Sequence, residues 1–186
     1  MHTGPRQTMT TQGDNTMPTR AEIEAAHKQA DARLDQLQPL MQQYEADALL
    51  DDGGKWSVRD CLSHVAASAR VGTFGRRALD RLDNPPAPAA PGAAPFNIDE
   101  ATQKQVEERK DKSIADLIAE AKEAHAASLE DLAAIDDASL QRKVPAARPG
   151  APELSVGGTV LRMLEYHEAG QVDRIEATLR ARTRWS

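Results

Sequence analysis

The sequence predicts an all-α fold, a four-helix bundle, on three observations. Apolar residues recur at three- and four-residue steps in long segments, and each segment follows a residue suited to cap a helix. No stretch alternates apolar and polar residues as a half-buried strand would, and proline clusters separate the periodic segments.

Residues 1–18, MHTGPRQTMTTQGDNTMP, carry no periodicity and read as a disordered tail, with Met9 and Met17 as alternative starts to Met1. Thr19 caps the first helix, with Glu22 at capping-box spacing, and Ile23, Ala26, Ala30, Leu34, Leu37, Met41 and Tyr44 form its stripe. Pro39 should kink this helix or end it early. Asp51-Asp52-Gly53-Gly54 breaks the chain. Ser57 then caps a second helix, with Asp60 at its N3 position and a stripe of Val58, Leu62, Val65 and Ala69, expected to reach about Leu82. The segment DNPPAPAAPGAAPF holds five prolines, at 85, 86, 88, 91 and 95, and reads as a long extended loop between helices two and three.

Asn97 or Asp99 caps a short helix leading into a long third one, which Ser113 caps and whose stripe is Ile114, Leu117, Ile118, Ala121, Leu129, Leu132 and Ile135. Pro145, Pro149, Gly150 and Pro152 make another loop. Ser155 caps the last helix, which runs through Val156, Val160, Met163 and Thr178 to about Arg180, and Arg180 and Arg182 suit its negative end. The expected organisation is one bundle over residues 19–182 with tails at 1–18 and 183–186, as befits a chain of 186 residues.

Charge and cysteine content narrow the function. Lys and Arg number 23 against 29 Asp and Glu, a net charge of −6, and the basic residues are scattered, so nucleic acid is not an expected partner. The single cysteine, Cys61, cannot form an intramolecular disulfide, and no apolar run approaches the ~18 residues of a membrane helix. No apolar leader precedes the first helix. These features predict a cytoplasmic protein without a membrane partner.

The residues that stand out are histidines on apolar stripes. At about 100° per residue His167 falls at the centre of the Val156, Val160, Met163 stripe, and Gln171, four residues on, projects from the same face. Gly170 between them costs about 1 kcal/mol in a helix, which implies that something needs room there. His64 lies at the flank of the second stripe. Asp60, one turn earlier, could accept its other ring N–H and so orient it toward a ligand. A hydrogen-bonded core histidine is the plainer reading of either ring.

A resemblance bears on that choice. Gly54-Lys55-Trp56-Ser57-Val58-Arg59-Asp60-Cys61-Leu62-Ser63-His64-Val65 and, far downstream, Glu165-Tyr166-His167-Glu168-Ala169-Gly170-Gln171-Val172-Asp173-Arg174-Ile175 resemble the two signature regions of the DinB/YfiT-like superfamily. Phe96-Asn97 is similar to some members as well, and the likeness spans about residues 20–182. These are four-helix bundles that include bacillithiol and mycothiol S-transferases and the N-terminal domain of mycothiol-dependent maleylpyruvate isomerase. Members with an intact site hold a divalent metal, zinc or nickel, through one histidine of helix two and a His-x-x-x-His pair on the last helix. By position the resemblance makes His64 the first ligand and His167 the second, while the third place holds Gln171. An amide oxygen is a weaker ligand than imidazole for a borderline ion, so affinity should fall.

Three arrangements follow: His64, His167 and Gln171 around a weakly held metal; His64 and His167 with His125, which lies centrally on the helix-three stripe, as substitute; or a polar pocket without metal. Glu168 should flank the site or face an adjoining helix, and His27 should lie at the surface or boundary. Cys61 reads as a small buried hydrophobe, Trp56 as a plug before the second helix, and Gly157-Gly158 as close packing or an anion site. The functions implied are a metal-dependent thiol S-transferase or hydrolase, in which water or a mycothiol- or bacillithiol-like thiol attacks a small electrophile, or a degenerate bundle that binds a small molecule without stoichiometric metal. A homodimer packing bundle faces is a third option.

Overall fold

A computed structural model describes residues 17–43, 55–70, 74–85, 97–145 and 153–183. In chain order the elements are α1 (Arg20–Gln43), α2 (Val58–Arg70), α3 (Phe74–Asp83), α4 (Ile98–Glu107), α5 (Ile114–Ala133), α6 (Asp137–Leu140), β1 (Lys143–Val144), β2 (Leu154–Ser155), α7 (Val156–Arg162), a π-helical segment (Met163–Glu168) and α8 (Ala169–Thr183). α1, α2, α5 and the run from α7 through α8 form the four-helix bundle; α2 packs along α5 and α8, α1 along α5 and α8, and α3 lies against α7.

The caps form where the sequence puts them. Glu22 accepts from the Thr19 backbone N–H at 2.7 Å, and Ser57 and Asp60 cap α2 reciprocally, with Ser57 N–H to Asp60 Oδ2 at 2.8 Å and Asp60 N–H to Ser57 Oγ at 3.1 Å. Asn97 caps α4, Ser113 and Asp116 form a capping box on α5, and Ser155 accepts from Gly158 N–H at the start of α7. Each cap pairs backbone donors that the first turn of a helix leaves without partners. Arg20 reaches from α1 to the carbonyls of Leu132 and Ile135 at the end of α5, placing a cation at that helix's negative pole.

Four expectations change. Helix two is two elements, α2 and α3, with residues 71–73 between them outside the described residues. α1 continues through Pro39 to Gln43, which excludes the early end, one of the two outcomes expected of that proline. A short antiparallel ladder, Lys143 with Ser155 and Val144 with Leu154, ties the α6 end to α7; two residues a side are too few to show as alternation. The last helix is interrupted by a π turn over Met163–Glu168. Of the expected tails and loops, residues 1–16, 44–54, 86–96, 146–152 and 184–186 lie outside the described residues, while the Pro18 carbonyl accepts from the Gln141 amide.

The core has two apolar clusters. One gathers Leu34, Leu37 and Met41 of α1, Val58–Ala69 positions of α2, Ile114–Ala124 positions of α5 and Val172, Ile175 and Leu179 of α8. The other joins Ile23, Ala78, Leu132, Ile135, Leu140, Val156, Val160 and Leu164. Along α1, α5 and the last helix the residues between the two clusters are polar: His27, His125 with Ser128, and His167 with Glu168. The bundle therefore carries a polar layer across its middle, between two apolar ends.

Candidate functional site

His64 of α2 and His167 of the π segment meet in this layer, their ring centroids 4.9 Å apart and their planes at 82°. His64 is buried and also meets the Trp56 ring edge-on at 5.3 Å. Its Nδ1 is buried without a hydrogen-bond partner. Burial, helped by the His167 ring and the Arg174 guanidinium, holds His64 at about 4, against the pull of a Gln105 hydrogen bond. Burial also lowers His167, with Glu168 acting the other way. Both rings are therefore neutral at neutral pH, the form in which imidazole binds a metal.

Ser68, one turn after His64, orients the second ring. Its hydroxyl donates to the His64 carbonyl at 2.7 Å and lies 3.2 Å from His167 Nε2. With the one hydroxyl proton spent on the carbonyl, Nε2 is the donor in that contact and Nδ1 keeps its lone pair.

Gln171 is engaged elsewhere. Its amide oxygen accepts from Arg174 Nη1 at 2.7 Å and from Cys61 Sγ at 3.1 Å. The guanidinium also stands over Trp56, 5.9 Å from the ring centroid. Asp60, expected beside the His64 ring, instead gives its carboxylate to the cap of α2, because N3 geometry turns it back onto the Ser57 N–H. Cys61 is wholly buried, as expected, but donates to Gln171.

His125 belongs to a different group. Its Nδ1 lies 2.6 Å from Asp31 Oδ1 and its Nε2 3.0 Å from Glu168 Oε2, with His27 edge-on at 5.6 Å. Burial opposes the charge on His125, but the hydrogen bonds and charges of Glu168 and Asp31 outweigh it and push it up to about 8. Held between two carboxylates, this ring is not placed as a third partner for His64 and His167. His27, expected at the boundary, is 1% exposed, and its Nδ1 contacts the Ile23 carbonyl at 2.9 Å. Glu168, expected to flank the site or face an adjoining helix, does the latter: it meets His125 of α5 and is buried at 4% exposure. The π turn explains that burial: i to i+5 bonding widens the turn, so residues 163–168 rotate less per step than an α-helix allows and two successive side chains enter the interior.

Sequence reasoning missed Ser68, Arg174 and Asp31. All three sit one turn from a residue already singled out: Ser68 from His64, Arg174 from Gln171, Asp31 from His27. Gly170 was read as making room for a neighbour, yet a Cβ there would meet nothing within 4 Å. Gly157 does serve close packing, since a Cβ would come within 3.1 Å of Ile23.

The donors present fit a divalent ion at two points. His64 and His167 offer neutral imidazoles, one with an orphaned nitrogen, whereas the third position is an amide already holding a guanidinium. No group of three His, Cys, Asp or Glu side chains suited to a metal forms among the described residues.

Fold and site define a class: a helical bundle with a pair of interior histidines contributed by its second and last long helices. The chain belongs to the DinB superfamily, whose sequence profile matches residues 22–170. Its structure is similar to YfiT from Bacillus subtilis, described as a probable metal-dependent hydrolase with an unusual four-helix bundle topology, at a TM-score of 0.64 and 18% identity over 99% of this chain and 95% of that one. At that identity the likeness shows the fold alone. No curated protein matches the chain. No helix among the described residues is long and apolar enough to cross a membrane.

Proposed function

We propose that the protein is a metal-dependent enzyme acting on a small electrophile, with His64 and His167 holding the ion. The observation that carries this reading is the contact between two neutral interior imidazoles from helices distant in sequence, one with a buried nitrogen that nothing among the described residues serves. Membership of the DinB superfamily and the description of YfiT support it. A bound divalent ion, zinc or nickel, lowers the pKa of water or of a low-molecular-weight thiol, so that the nucleophile forms near neutral pH.

The chain's own residues do the rest. Trp56 walls His64 off from one side, Ser68 fixes the tautomer of His167, and Arg174 engages the Gln171 amide oxygen. Two imidazoles, His64 and His167, would hold such an ion weakly and leave coordination positions for the substrate. Hydrolysis, or transfer of a mycothiol- or bacillithiol-like thiol, is the reaction class, and a reducing cytoplasm is the setting that suits it.

Metal analysis and calorimetric titration with zinc and with nickel test the proposal. One ion per chain is expected, lost in His64→Ala and in His167→Ala. A second reading rests on the Arg174–Gln171–Cys61 contacts, which leave the third ligand position closed: a bundle that binds a small molecule without metal. The absence of stoichiometric, histidine-dependent binding in that titration selects it.

A further inference from the structure

With Asp60 engaged in the cap of α2, the His64 ring lacks the carboxylate expected to orient it. A residue of α4 stands in that place. Gln105, half-buried, hydrogen-bonds the His64 ring through its side chain. Nδ1 of that ring is buried without a partner among the described residues, so the bond falls at Nε2. A side-chain amide has both a donor and an acceptor to offer there. Were it the donor, the ring proton would sit on Nδ1 as a buried N–H with no acceptor, and such orphans are rarer in folded chains than underused acceptors. With the amide oxygen accepting from Nε2–H, the unserved atom is instead a lone pair on Nδ1, which a cation can take.

α4 is tied down on both sides of Gln105. Val106, the next residue, is buried. Arg109, one turn on, donates from Nη1 to the Gln105 carbonyl at 3.0 Å and grips Glu120 of α5 through Nε at 3.2 Å and Nη2 at 2.8 Å. Glu120 is buried and also takes Lys112 Nζ at 2.6 Å. Arg59 of α2 closes the loop, donating from Nη1 to the Lys112 carbonyl at 2.6 Å. The helix that carries Gln105 is thus fixed both to α5 and to the helix that carries His64.

We propose that Gln105 is a positioning residue for His64: its amide oxygen holds Nε2–H, so that Nδ1 keeps the lone pair that binds the ion, as the Ser68 contact does for His167. The inference rests on the proposed function for the ion, and on the contacts of α4 for the tautomer. A carboxylate, carbonyl or amide oxygen on the far nitrogen is the ordinary means of fixing a metal-binding imidazole. Here it comes from a helix outside the four of the bundle.

The test has two arms. In EDTA at pH 8, long-range 1H–15N spectra of the full chain labelled with 15N-histidine report the tautomer of each ring, and the His64 signals are assigned by their loss in His64→Gln. The Nε2–H form should dominate at His64 in the native chain and in Gln105→Glu, which keeps an acceptor, and should give way to a mixture in Gln105→Leu, which keeps the bulk alone. In the second arm, calorimetric titration with zinc should show Gln105→Leu weakened roughly ten- to a hundredfold, the usual cost of losing such a partner, and Gln105→Glu at least as tight as the native chain. Should Gln105→Leu not fold, Gln105→Asn, whose amide is one methylene short of the ring, should give the same two losses. The proposal is overturned by an Nδ1–H form in the native chain, by an unchanged tautomer or zinc affinity in Gln105→Leu, or by equal losses in Gln105→Glu and Gln105→Leu. A native chain that binds no zinc refutes the metal reading, while the spectra, taken without metal, still decide whether Gln105 holds the ring.

Discussion

His125, buried between the half-buried Asp31 and the buried Glu168, makes the stability of this protein depend on pH on the alkaline side of neutrality. His125 is 2% exposed and is held at about 8, against 6.5 when unperturbed. At about 1.4 kcal/mol for each pH unit, that difference contributes about 2 kcal/mol. The sign follows from which state keeps the proton. Below pH 6.5 folded and unfolded chains both carry it, and the full contribution is present. Between 6.5 and 8 the unfolded chain releases a proton that the folded chain keeps, so stability falls with rising pH. Above 8 the contribution is gone. Urea unfolding of EDTA-treated protein from pH 6 to 9.5, compared with His125→Gln, isolates the effect, because the variant has no titrating ring at that position. The stability difference between the two proteins should shrink by about 2 kcal/mol across the window. Parallel profiles, or a difference that widens with pH, would refute the placement of a protonated His125 between two carboxylates.

Further outcomes follow from the site and its surroundings. Gln171→His supplies the imidazole that the last helix lacks and removes the acceptor that Arg174 and Cys61 share, so calorimetry should show zinc or nickel bound at least about tenfold more tightly than by the native chain. Gly170→Ala should stabilise the protein by about 0.5–1 kcal/mol, a rise of a few degrees in Tm, since the helix gains propensity and the new methyl group meets nothing within 4 Å. Asp60→Ala should cost about 1 kcal/mol in urea unfolding by stripping the cap from α2, and should leave metal affinity unchanged, because the carboxylate serves the Ser57 N–H and not the His64 ring.

Much of the fold was legible because the signals are local. The caps at Thr19, Ser57, Asn97, Ser113 and Ser155 need only residues three positions away, and the stripes of α1, α2 and α5 need only a regular 3.6-residue turn. The inward direction of His125 and His167 followed from the same periodicity, which put His64 only at the flank of its stripe. The partner of each ring did not. His125 lies on the expected face, yet whether it met His64 or Asp31 depended on how α5 is rotated and shifted against α1 and α2, which no spacing within α5 records. Asp60 and Gln171 had the right separations for a metal site, but a backbone N–H and a guanidinium took their oxygens first.

The sequence by itself determined an all-helical chain of the DinB superfamily, with two histidines on the inner faces of its second and last long helices, because helix periodicity and capping are properties of neighbouring residues. Only the tertiary structure decided that Gln171 is held by Arg174, that His27 and Glu168 are buried, and that Asp31, His125 and Glu168 form a charged layer between two apolar clusters. The physical reason is that burial and pairing are settled between helices. Here the π turn at Met163–Glu168 changes the register of the last helix at the point where it crosses the polar layer.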